Sequence, residues 1–184
     1  MRKVSRITVN NWKQNLLPIL LMLLAVLFDG FLTSYGASSL DTSIGLFIPR
    51  TVLLMLIILA FYYPEKFMYG NVAVIGFIMD AYYLGFVGVY MATFLLAVTL
   101  VSTIKVAIRP NVLSYTLSSI LVLTVSEILI YGIMRILGIT SMNFQFFIVS
   151  RLSATLLFNG LIMLIFSFFV ERLIVNTIDE TTVR

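Results

Sequence analysis

The chain has no cysteine and no histidine. The first absence excludes disulfides and thiolate metal ligands. The second removes the commonest metal ligand and the commonest general base. Charge is also scarce. Asp, Glu, Lys and Arg make up 11% of the residues, where a soluble domain has about 25%. Hydrophobic residues reach 61% and mean hydropathy is +1.09. Such a chain cannot cover a water-facing surface, so it reads as an integral membrane protein. Its 184 residues form one membrane domain, too short for a second fold outside the bilayer. The net charge of +4 comes from basic residues at segment ends rather than in a patch. It therefore reports orientation in a bilayer and not a nucleic-acid partner. Walker, GxSxG and HExxH patterns are missing. Ser126 beside Glu127 is the nearest approach to a nucleophile with a base, and adjacent helix residues point in different directions. Neither an enzyme nor a cofactor is expected.

What is there is a series of long apolar runs. They predict an all-α integral membrane protein, a six-helix transmembrane bundle with spans near 16–33, 46–63, 72–83, 86–104, 112–137 and 144–170. Helices are preferred over barrel strands because the runs are continuously apolar, without period-2 alternation. The first run, Leu16 to Thr33, is too long for a signal-peptide core and contains Asp29, which favours an uncleaved span. The polar link Tyr35 to Ile44 reads as an external loop, Pro64 to Lys66 as the end of the second span, and Glu171 to Arg184 as a polar tail. Tyr62, Tyr63, Tyr69, Tyr82 and Tyr83 sit near segment ends, as an interfacial aromatic belt would. Six crossings put both termini on one side. With that side cytoplasmic, nine Lys and Arg are inside (Arg2, Lys3, Arg6, Lys13, Lys66, Lys105, Arg109, Arg172, Arg184). Three remain, Arg50, Arg135 and Arg151. The bias fixes the expected orientation.

Four charges fall inside the runs: Asp29, Arg50, Glu127 and Arg151. At about 1.5 Å rise per residue, Asp29 and Glu127 lie roughly 20 Å from the inner face. Arg50 and Arg151 lie roughly 6 to 10 Å from the outer face. All four then share the outer half of the bilayer core. A lone charge near the centre of a span costs about 2.5–3.5 kcal/mol, so pairing is expected. Glu127 with Arg151 is the expected pair, because their helices are sequential and antiparallel. Such a cluster can be structural glue between helices, a ligand or ion pathway opening outward, or a set of snorkelling side chains.

The chain's centre is Gly70 to Ala92, where Asp80 is surrounded by Gly70, Gly76, Gly85 and Gly88. It reads as a helical hairpin made by a short third span, a tight turn near Leu84 to Phe86, and the fourth span. Asp80 is then either a cap in that turn or a contact point for another protein. Small residues at helix-packing spacing occur at Gly88 with Ala92, Ser114 with Ser118, and Ser150 with Ala154.

From Pro49 to Pro110 the pattern resembles the MreD family of bacterial rod-shape-determining membrane proteins. The parts that carry the resemblance are Pro49, the loop Pro64 to Gly70, Gly76 to Asp80, the turn glycines Gly85 and Gly88, and the basic ending Lys105 to Arg109. Ala-Tyr-Tyr-Leu follows Asp80 where aliphatic residues are usual in the family. The resemblance implies a non-enzymatic scaffold in the cell-elongation complex. Its implied partners are an MreC-like protein, MreB, RodA and a transpeptidase, and its implied task is the placement of peptidoglycan synthesis that sets cell shape. Asp80, Gly85, Gly88 and Ala92 are the candidate partner-packing residues. The family also resembles, in fold, the substrate-binding S-components of energy-coupling-factor vitamin transporters. That resemblance implies the alternative of a small-molecule capture protein whose outer cavity is the charged cluster. The first span has only Ala25 where an S-component carries a paired-alanine docking motif.

Overall fold

The computed structural model describes residues 12–42, 45–85 and 87–182, with side chains placed for 15–34, 47–85 and 87–174. Arg2, Lys3, Arg6, Arg184 and the turn residue Phe86 lie outside the described residues. Helix α1 (Trp12–Leu40) leads to a two-strand ribbon, β1 (Asp41–Thr42) antiparallel to β2 (Gly45–Leu46). Then come α2 (Thr51–Tyr62), α3 (Glu65–Met79) continued by a π-helical turn (Asp80–Leu84), α4 (Val89–Ala107) and α5 (Val112–Ile136). A last rod consists of α6 (Phe144–Phe146), a second π-helical turn (Phe147–Leu152) and α7 (Ser153–Thr182). Among the described residues, five helices are long and apolar enough to cross a membrane, and α2 is a shorter apolar helix beside them.

The second apolar run differs most from its expected form. Leu46 to Tyr63 is not one helix, because Phe47–Arg50 has no regular secondary structure and only 12 residues coil. Proline cannot donate to a helix, and it pushes the residue before it out of the helical region. Pro49 therefore delays the start to Thr51. Twelve helical residues reach roughly 18 Å. That is short of a hydrocarbon core about 30 Å thick, so the non-helical lead-in carries part of the crossing. Non-helical backbone at that depth is tolerated only where protein covers it. Every residue of α2 is buried, which makes it the central rod, with α1, α4, α5 and α7 packed around it.

Two other boundaries move for local reasons. The third span begins at Glu65 rather than Val72, because Pro64 starts the helix and Glu65 sits in its first turn, where negative charge is favoured. The span is therefore of full length, 20 residues with its π turn. The last rod does not end at Val170. Glu171 continues α7 and accepts a hydrogen bond from Tyr62 at 3.1 Å. Tyr62 and Tyr63 are likewise not part of an interfacial belt. Both are buried, and Tyr62 pairs its hydroxyl with that of Tyr115 at 2.7 Å. By contrast α5 keeps nearly its expected limits. Asn111 caps its N-terminus by accepting from Ser114 N at 2.8 Å, and Gly138 (φ 70°) ends it.

Candidate functional site

The buried start of α2 raises a backbone problem. The first amides of a helix have no partner within it. Arg50, at the cap position, offers no side-chain acceptor. The acceptors come from other helices. Asp29 of α1 receives Thr51 N at 2.8 Å, Thr51 Oγ1 at 2.6 Å and Val52 N at 3.2 Å. A carboxylate there also faces the positive end of the helix dipole. Asn159 of α7 serves the non-helical lead-in: its Oδ1 accepts from Arg50 N at 2.8 Å and its Nδ2 donates to Ile48 O at 2.7 Å. At the other end, the Lys105 ammonium donates to Ala60 O at 2.7 Å and Tyr63 O at 3.0 Å. α2 is thus held at both ends by opposite charges borrowed from α1 and α4.

Arg50 turns its guanidinium into the same end of the bundle. Nε donates to Glu127 Oε1 at 2.7 Å and Nη1 to the Tyr90 hydroxyl at 3.1 Å. Arg151 Nη2 lies 3.4 Å from the other carboxylate oxygen, Oε2. The carboxylate of Glu127 has no exposed surface, whereas the Arg151 side chain is 23% exposed. This amends the expected pairing. Glu127 sits nearest Arg50, and Arg151 is its looser second partner. Chain order had favoured Arg151, but α2 occupies the centre and so presents Arg50 to α5 directly. Asp29 likewise pairs with helix amides and not with an arginine. The four charges are brought to one end of the bundle as a triad, Arg50–Glu127–Arg151, beside a cap, Asp29–Thr51. Asn159, Thr51, Tyr90 and Lys105 belong to this framework and were not singled out from the sequence as members. The available signal was Pro49, which sets the helix start so that Arg50, a residue with no side-chain acceptor, falls at the cap position.

Asp80 does for α4 what Asp29 does for α2. Its carboxylate accepts from Gly88 N and Tyr90 N, both at 2.7 Å, and from Met91 N at 3.3 Å. It is fully buried. Asp80 is therefore placed as an internal cap and not at the surface as a polar contact for another protein. Gly85 (φ 72°) and Gly88 (φ 128°) shape the turn it closes. The close approach of α3 and α4 is made at Gly76, where an added Cβ would stand 2.5 Å from Met91 Cα. Ala92 faces outward and is exposed. Both π-helical turns carry one of these polar residues, Asp80 and Arg151. Single π turns are frequent at functional sites.

A short buried helix braced by borrowed caps, five long apolar helices and an ion triad near one end together define a multi-pass helical membrane protein. A family model described as rod shape-determining protein MreD matches residues 13–176. The chain belongs to the MreD family, whose members determine rod shape in bacteria. Neither a curated protein nor a solved structure matches it.

Proposed function

We propose that the chain is a non-enzymatic membrane scaffold of the cell-elongation complex. In this reading it binds an MreC-like single-span protein, works beside MreB, RodA and a transpeptidase, and helps position peptidoglycan synthesis. Both termini are cytoplasmic. The supporting observation is how the buried and half-buried ionisable groups are used. Asp29, Asp80 and Lys105 each brace a helix end, and Arg50 and Glu127 pair with each other. The result is a braced body whose outward face is apolar, with Val74, Phe77, Ile78, Tyr82 and Val87 exposed along the α3–α4 hairpin. Helices associate in lipid through close packing at small residues. Ala92, exposed on the same hairpin, offers such a place. Ala25, the single alanine of the expected first span, is buried against the core and is not presented outward as a docking surface.

Co-purification tests the partner. Ala92→Phe should weaken recovery of the MreC-like protein from membranes while leaving the variant inserted and folded. Gly88 is the wrong probe, because its φ of 128° makes any side chain there strain the turn. Full partner recovery by Ala92→Phe places the interface elsewhere. A vitamin-like molecule retained through purification favours the transporter reading instead. Reporter fusions at Arg184 and after Ser39 test orientation, and a periplasmic signal from the C-terminus overturns the six-crossing topology.

A further inference from the structure

Three buried polar atoms beside the ion triad have no hydrogen-bond partner. Glu127 Oε1 is engaged by Arg50, but Oε2 accepts no hydrogen bond, with Arg151 Nη2 standing 3.4 Å away. Arg151 Nε and Thr155 Oγ1 are also buried and unbonded. Arg151 and Thr155 are four residues apart on one rod, which places them on the same face. That rod packs on α5, the helix that carries Glu127. Buried polar groups are nearly always bonded, so three orphans together call for a missing partner. Arg151 also belongs to the π-helical turn Phe147–Leu152.

The donors and acceptors define that partner. A carboxylate oxygen only accepts, a guanidinium N–H only donates, and a threonine hydroxyl does either. A phosphate or carboxylate would leave Oε2 unpaired and meet the charge of Glu127. An ammonium would leave Nε unpaired and add a third cation to the two arginines. A hydroxyl gives one hydrogen to Oε2 and accepts from Nε, with Thr155 completing the set. Arg151 is the partly exposed member, and its neighbours Ile148 and Val149 are exposed apolar side chains. The exposed part of Arg151 therefore lies beside lipid-facing residues, next to the three buried atoms. We propose that Glu127, Arg151 and Thr155 form a binding site for a hydroxyl group, supplied by the neutral polyol headgroup of a membrane lipid or by an ordered water. This inference rests on the orphaned atoms and is independent of the scaffold reading.

Thermal unfolding of the full chain in nanodiscs tests it, with phosphatidylcholine alone, which has no hydroxyl, compared with phosphatidylcholine containing glucosyl diacylglycerol. The variants are Thr155→Val, similar in shape but without the hydroxyl, and Thr155→Ser, which keeps it. If a lipid hydroxyl fills the site, the glucosyl lipid raises Tm of the natural chain and Thr155→Ser by about 2–4 °C, the scale of one good contact in a chain of this size. Thr155→Val then gains nothing. If water fills it, the two bilayers give equal Tm, and Thr155→Val melts about 2–4 °C below the natural chain and Thr155→Ser in both. Removing a hydroxyl with no partner is neutral or stabilising. A Thr155→Val protein at least as stable as the natural chain in both bilayers overturns the proposal, as does an equal gain from the glucosyl lipid in both.

Discussion

Replacing Glu127 with leucine, Arg50 with methionine, and both together makes a double-mutant cycle on the shortest ion pair in the described bundle. Glu127 has no exposed surface and holds Arg50 at 2.7 Å. Breaking a buried pair by removing one partner costs about 3–5 kcal/mol, because the survivor is left as an uncompensated charge. Glu127→Leu strands two cations and belongs at the upper end of that range. Arg50→Met leaves Glu127 with Arg151 only, at 3.4 Å, and also removes the donor to Tyr90. The double variant keeps neither buried charge of the pair. The remaining Arg151 is 23% exposed and can carry its guanidinium outward along its aliphatic stem. The double variant should therefore cost clearly less than the two single losses added together, with non-additivity on the order of 3 kcal/mol, the upper end for residues in contact. Arg151→Met alone should cost about 1 kcal/mol, close to the range of exposed pairs. Unfolding of the purified protein in mixed micelles by increasing dodecyl sulfate measures all four. If the two single losses simply add in the double variant, the pair is not coupled. If Arg151→Met costs as much as Arg50→Met, the order of partners around Glu127 is wrong.

Asp29→Ala should destabilise by about 2 kcal/mol, the upper range for a lost helix cap, and Asp29→Asn by clearly less, since an amide oxygen still accepts from Thr51 and Val52. The same titration reads both, and equal losses would mean that the charge and not the cap matters. Gly76→Ala puts a Cβ 2.5 Å from the Met91 backbone, so the α3–α4 hairpin must open. Loss of membrane-inserted, protease-resistant protein is expected, and normal yield with unchanged Tm would show that the two helices are not so close. Lys105→Met exposes the carbonyls of Ala60 and Tyr63 to a buried setting without a donor and should cost about 1–3 kcal/mol. Faster amide exchange in the last turn of α2 is the local readout, and unchanged protection there would refute the cap.

The sequence by itself determined the class of protein, a series of membrane-length apolar runs, and an expected depth for each charge. Hydropathy reports what lipid accepts, and a helix rises by a constant step, so depth follows from counting along the chain. Residues Asp29, Arg50, Glu127 and Arg151 were legible as a set for that reason. Ends governed by adjacent residues were legible too, as with Asn111 and Gly138 on α5. What only the tertiary structure decided is which helix lies at the centre and which side chain faces which. Leu46 to Tyr63 has one hydropathy whether it coils or extends, and its start at Thr51 depends on a carboxylate 22 positions earlier in the chain. Chain order pointed to Arg151 as the partner of Glu127 and missed the nearer Arg50, because α5 packs on α2 as well as on the last rod and only the second contact follows from chain order. Asp80 read equally well as a cap or a contact, since its role depends on Gly76 letting α4 come close enough for its amides to reach the carboxylate. Depth is a one-dimensional property that survives in the sequence. Rotation about each helix axis, and the identity of the central rod, follow from packing all the helices at once.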